Sequence, residues 1–214
     1  MIDYRVYLVT DDPSRYRHDW LENIAAAIDG GVTCVQYRDT ESSPDVRYSR
    51  LRRLQEMLKT RHVQLIVNND AELAASVSAE GVHVGQGDLP PAQVRAIVGP
   101  HCEIGLSITA ISQVAALKAL PTGLVNSIGI GPIYDARRTK ADASDAIGTE
   151  GLREIVAAVP EFPNCAIGGI NLANAGEVIS AGANGLAVVS AFSQSDDPYA
   201  TAKNFRMLFD RRRV

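Results

Sequence analysis

Few of the 214 residues are of kinds that announce a chemistry by themselves. There are only 3 cysteines, Cys34, Cys102 and Cys165, too far apart for any zinc or redox spacing. Cys34 and Cys165 lie inside apolar runs, which reads as buried reduced thiols. Basic residues are not in excess either: 21 Lys and Arg against 25 Asp and Glu give a net charge of −4. That excludes a general attraction to nucleic acid or to an anionic membrane, so any phosphorylated ligand must be met by positive charge placed locally. No apolar run reaches membrane-spanning length, and MIDYRVYLVTDD has no basic region leading into a long apolar segment. The expectation is a soluble, cytoplasmic protein with neither nucleic-acid nor membrane partners; association into a homo-oligomer stays open. None of the 4 histidines (His18, His62, His83 and His101) is expected at a functional site. Three fall in helices or in turns leading into strands, and His83 lies within a strand, where a structural role is expected. No lysine ends a strand as a Schiff-base candidate, so chemistry that needs a strong general base is disfavoured.

What the chain does have is apolar content, 46%, enough for a sizeable core. It is dealt out in eight short runs: 6–10, 32–36, 65–67, 82–84, 104–107, 127–130, 165–167 and 185–189. Each is followed by a segment with helical spacing, near 20–28, 44–60, 71–78, 91–98, 111–120, 152–159, 174–180 and 200–209. Pro44 and Pro91 sit where a first helical turn accepts proline, and Gly30-Gly31 reads as a helix stop. Continuously apolar strands alternating with helices indicate a buried parallel sheet. Eight repeats favour a closed (β/α)8 TIM barrel over an open doubly wound sheet. With no linker or break in composition, residues 1–214 read as a single domain. One stretch, 135–147, has no apolar periodicity and reads as a long functional loop.

In such a barrel the catalytic groups stand at the C-terminal ends of the strands. Those ends carry Gln36, Arg38, Asn68, Asn69, Asp88, Ser107, Gly168, Gly169 and Ser190, joined by Thr139 and Lys140 of the long loop. Asp88 and Asn69 offer hard oxygen suited to Mg²⁺ shared with a phosphate, though Asn, Asp and Gly at strand ends also serve as helix caps and turn formers. Arg38 and Lys140 can neutralise phosphate oxygens while Asn68 and Thr139 donate hydrogen bonds. Gly168-Gly169 after the seventh strand and Ser190 after the eighth form the usual barrel site for a phosphomonoester. Two anion sites and one metal suggest two phosphorylated reactants, one of them a diphosphate. Departure of that diphosphate can drive the reaction without a base.

With those residues in place, the sequence resembles the thiamine phosphate synthase family over nearly its full length. The matching segments include YLVTD (7–11), GGVTCVQYRD (30–39), LIVNN (65–69), GVHVGQGDLP (81–90), IGLS (104–107), GIGPIY (129–134), TK (139–140), AIGGI (166–170) and LAVVSA (186–191). The resemblance implies a (β/α)8 transferase that joins a hydroxymethylpyrimidine diphosphate to a hydroxyethylthiazole phosphate. It further implies that Gln36 and Ser107 contact the pyrimidine, that Arg38, Asn68 and Lys140 bind the diphosphate, and that Asp88 holds Mg²⁺. Gly169, Val189 and Ser190 would cradle the thiazole phosphate. Three positions depart from the family pattern. Thr40 replaces a lysine, Asn69 replaces a metal-ligating carboxylate, and the 135–140 loop is one residue longer and lacks its first threonine. Asp70 is a candidate to replace the lost carboxylate, and Arg137 or Arg138 the lost lysine. Two alternatives stay open: a catalytically weakened member that carries thiazole or thiamine phosphate, and a thiazole tautomerase-like protein.

Overall fold

The computed structural model describes residues 2–137 and 144–210. All eight apolar runs are strands: β1 (Val6–Val9), β2 (Cys34–Tyr37), β3 (Gln64–Asn68), β4 (Gly81–Val84), β5 (Glu103–Ile108), β6 (Ser127–Ile130), β7 (Asn164–Ile167) and β8 (Gly185–Val188). They pair in parallel, each with its neighbours in sequence, and β8 pairs with β1 to close the barrel. The helices are α1 (Trp20–Gly30), α2 (Pro44–Arg61), α3 (Ala71–Ser76), α4 (Pro91–Val98), α5 (Val114–Lys118), α6 (Gly148–Ala158), α7 (Ala175–Ser180), α8 (Ser190–Ser193) and α9 (Pro198–Asp210). The expected fold is therefore present. The addition is α8, a single turn directly after β8, too short to leave a helical period in the sequence.

Local chemistry sets several boundaries. The Asp19 carboxylate caps α1 by accepting from the N–H groups of Leu21 and Glu22, and Gly31 ends it with φ of 123°. Asp70 caps α3 through the Leu73 N–H.

Strand residues alternate between two apolar regions. Val6, Leu8, Val35, Leu65, Val67, Val82 and Val84 point outward into the sleeve under the helices. Tyr7, Val9, Cys34, Ile66, Cys165 and Ala187 point inward and fill the barrel with Ile2. The two strand cysteines are buried and free, as expected, and burial pushes both thiols up, Cys165 to about 12. Among the described residues, no helix is long and apolar enough to cross a membrane.

Candidate active site

The inward alternation continues past the strand ends and delivers side chains to the C-terminal mouth. Gln36 lies on the same parity as Cys34, and Asn68 on that of Ile66. A recess of about 500 Å³ opens at the opposite end of the barrel, lined by Asp3, Tyr4, Arg5, Glu161 and Asn184. None of the expected site residues lines it, and barrels of this kind do their chemistry at the other end. Geometry therefore outweighs size in placing the site.

Arg38 stands two residues beyond Gln36. Its backbone is clasped to the end of β1: the Arg38 N–H donates to Thr10 Oγ1 at 2.8 Å, and the Thr10 hydroxyl donates to the Arg38 carbonyl at 3.0 Å. The guanidinium, partly exposed, has no ion pair among the described residues and is available to an anion. The Asn68 side chain likewise has no hydrogen bond among the described residues, which leaves its amide free to donate. Gln36, only 5% exposed, donates from Nε2 to the Tyr7 hydroxyl at 2.6 Å, so its carbonyl oxygen is the end left for a ligand. Burial pushes the Tyr7 phenol well above its ordinary range and keeps it protonated.

Ser107 is held from two sides. Gln86 Nε2 donates to its carbonyl at 2.6 Å, and His83 Nε2 lies 3.0 Å from its hydroxyl. Burial lowers the His83 pKa to about 4, against a weaker pull upward from Asp88, so the imidazole is neutral at ordinary pH. Tyr7 and His83 are the residues that strand-end reasoning misses. Both lie inside apolar runs, and the signal that finds them is inward parity rather than position at a strand end.

The metal candidates are adjacent. Asn69 Nδ2 donates to Asp88 Oδ1 at 3.0 Å, and the Gly85 N–H donates to Asp88 Oδ2 at 2.7 Å. Asn69 adopts φ of 61°, a left-handed conformation that Asn tolerates better than most residues, and its N–H extends the β3–β4 ladder to the His83 carbonyl. One carboxylate and one amide carbonyl at neighbouring strand ends fit a hard cation that takes its other ligands from phosphate and water. Among the described residues no three His, Cys, Asp or Glu side chains converge, so a cage made of protein alone is not the arrangement these residues offer.

Two of the compensations suggested by the sequence do not hold. The Asp70 carboxylate is committed to the α3 cap, and it faces Arg47 at 3.4 Å rather than Asp88. Arg137 pairs with acids of its own loop, Asp145 at 2.6 Å and Asp135 at 3.8 Å. Arg138, Thr139 and Lys140 lie outside the described residues. The pocket beside Thr40, about 30 Å³, is shared instead by Arg38 and Arg15. Arg15 is held only loosely there, by Asp11 at 3.4 Å and Glu41 at 3.9 Å.

On the remaining side of the mouth, Gly168 and Gly169 have φ of 101° and 65°. A Cβ on Gly168 would come within 2.5 Å of Pro132, and one on Gly169 within 2.6 Å of Tyr134 Cβ. The glycines thus serve the close packing of the β6 and β7 loops as well as any ligand. The Tyr134 N–H donates to the Gly168 carbonyl at 3.0 Å across that contact. Val189 and Ser190 begin the α8 turn after β8 and are partly exposed.

Comparisons with known proteins agree with this geometry. A family model described as thiamine monophosphate synthase matches residues 6–192, which span all eight strands. The thiamine-phosphate synthase of Azorhizobium caulinodans is 41% identical over 211 residues, covering 97% of this chain and 96% of that one. The thiamine-phosphate synthase of Chloroflexus aurantiacus is 42% identical over 208 residues, covering 97% and 94%. Among solved structures, a thiamine phosphate pyrophosphorylase from Pyrococcus furiosus superposes with a TM-score of 0.84 at 27% identity, covering 98% of this chain and 96% of that one. An eight-stranded barrel with these groups at its mouth, matched along nearly its whole length at this identity, belongs to the thiamine monophosphate synthase family.

Proposed function

We infer that the chain is a transferase of thiamine biosynthesis that joins a hydroxymethylpyrimidine diphosphate to a hydroxyethylthiazole phosphate, releasing thiamine phosphate and diphosphate. The observation that carries this reading is the full-length relation to thiamine-phosphate synthases. The unpaired Arg38 and Asn68 at the mouth fit it chemically.

In the proposed arrangement the pyrimidine ring lies against Gln36 and Ser107. The Gln36 carbonyl accepts from an amino group on the ring, and the Ser107 hydroxyl meets a ring nitrogen. Arg38, Asn68, Thr139 and Lys140 gather the diphosphate oxygens, so that negative charge is compensated as the C–O bond lengthens. Mg²⁺, when bound by Asp88 and the Asn69 carbonyl, would supply further charge neutralisation for the leaving diphosphate. The bond electrons leave with the diphosphate and the pyrimidine carbon becomes cationic. The thiazole nitrogen, positioned by Gly169, Val189 and Ser190 around its phosphate, donates its lone pair to that carbon. No proton needs to be removed from either reactant, which suits a site whose one inward histidine is a weak base.

The test is incubation of the purified protein with both phosphorylated precursors and Mg²⁺, followed by chromatography for thiamine phosphate. Formation of that product together with diphosphate is expected. Its absence across a wide range of Mg²⁺ concentrations would overturn the reading.

A further inference from the structure

His83 is half-buried one layer beneath the mouth, in a slot that the sequence has cleared for it. In register, His83 on β4 faces Gly105 on β5, and Gly129 on β6 pairs with Ser107, two residues further along β5. A Cβ on Gly105 would lie 2.4 Å from His83 Nδ1, and a Cβ on Gly129 would lie 2.8 Å from its Cε1. Any side chain at either position would push the imidazole out of place. Two glycines in the interior of adjacent strands weaken both, so an explanation in terms of strand stability alone is unsatisfying. Their effect is to leave room for the ring, with Nε2 at 3.0 Å from Ser107 Oγ.

A serine hydroxyl rotates freely unless a partner fixes it, and it has one proton and two acceptor directions. A neutral imidazole satisfies this contact in either tautomer. With the proton on Nε2 it donates to Oγ and leaves the serine O–H to point elsewhere. With the proton on Nδ1 it accepts from the serine and leaves the oxygen's lone pairs exposed. Either way one hydroxyl direction is occupied from below and the remaining ones face the mouth. The Gln86 bond to the Ser107 carbonyl fixes the backbone from above at 2.6 Å.

We propose that His83 is a positioning residue that sets the Ser107 hydroxyl for the pyrimidine ring, in the slot made by Gly105 and Gly129. The proposal rests on the reading above that Ser107 faces the pyrimidine. It concerns recognition of one substrate only, because the same reading assigns the thiazole phosphate to the loops after β7 and β8.

Steady-state kinetics with each substrate varied separately tests it, on His83→Asn, His83→Gln, Ser107→Ala and the double variant His83→Asn/Ser107→Ala, each checked for folding by circular dichroism. Gln can place an amide where Nε2 stands, whereas Asn reaches only the Nδ1 position. His83→Asn is expected to raise KM for the pyrimidine diphosphate roughly five- to tenfold, the scale of one lost hydrogen bond. KM for the thiazole phosphate should stay within about twofold, and His83→Gln should recover most of the loss. In the Ser107→Ala background the His83→Asn change should add little, because its route has been removed. Should His83→Asn fail to fold, His83→Ala takes its place in the same cycle. Equal losses for Asn and Gln, or additive losses in the double variant, would overturn the proposal while leaving the reading of Ser107 intact. An unchanged pyrimidine KM in Ser107→Ala would overturn both.

Discussion

Asn69 concentrates the chemistry of the mouth in one side chain. Its backbone must take a left-handed turn between β3 and α3, which favours Asn or Asp, and its amide points at Asp88. Among the described residues, Asp88 is then the one carboxylate at the proposed metal position. Replacing it by Ala should lower kcat/KM by about 10²–10³-fold, as for loss of a principal charge-stabilising group. The fold should survive, because among the described residues the side-chain bonds lost are those from Gly85 and Asn69. Activity titrated against Mg²⁺ checks this, and a near-normal rate would place the metal elsewhere. The converse change, Asn69→Asp, sets two carboxylates side by side at a position whose backbone already suits Asp. We expect it to lower the melting temperature without Mg²⁺, to recover on adding Mg²⁺, and to reduce the Mg²⁺ concentration needed for turnover. Thermal melts with and without the ion, beside the activity titration, decide it. At this scale Gln36, Asn68, Asp88 and Ser107 are legible in the sequence because each stands at or near the end of an apolar run. Tyr7 and His83 are not, because an apolar run does not say which of its members point inward.

Among the elements, α3 shows how a residue suited to one role is claimed by another. Asp70 follows Asn69 directly, yet its carboxylate accepts from Leu73 and faces Arg47 on α2. A helix of only six residues depends on its cap. Asp70→Ala should therefore cost about 1 kcal/mol, a fall of roughly 2–4 °C in Tm for a chain of this size. The Mg²⁺ dependence of activity should not move, and a shift in it would return Asp70 to the metal site. The strand–helix alternation is legible because its two periods differ. The α8 turn and the packing of Gly168 on Pro132 are not, because each depends on which loops the barrel brings together.

For the whole molecule, closure of β8 on β1 creates an interior with little access to water, and His83 titrates accordingly. Its folded pKa of about 4 lies below the ordinary 6.5, so the unfolded chain takes up the proton first as pH falls. The neutral ring's contribution is complete above about pH 6.5 and is lost between there and pH 4, on the order of 3 kcal/mol. Denaturant unfolding across that window should show stability falling with acidity, and His83→Gln should flatten the slope. An unchanged slope would mean that the ring is hydrated. The carboxyl of Asp39 belongs to a lower window: burial pushes it up, but bonds from Ser42, Arg50 and Tyr37 prevail and hold it below its ordinary value. The sequence by itself determined the (β/α)8 architecture and which residues stand at the C-terminal ends of its strands, because apolar periodicity and strand-end composition are local properties of the chain. Only the tertiary structure decided that Asp70 caps a helix, that Arg137 answers to its own loop, and that His83 reaches Ser107 through a slot made by two glycines. Hydrogen bonds and close contacts between distant strands depend on register and side-chain direction, which the chain acquires when the barrel closes.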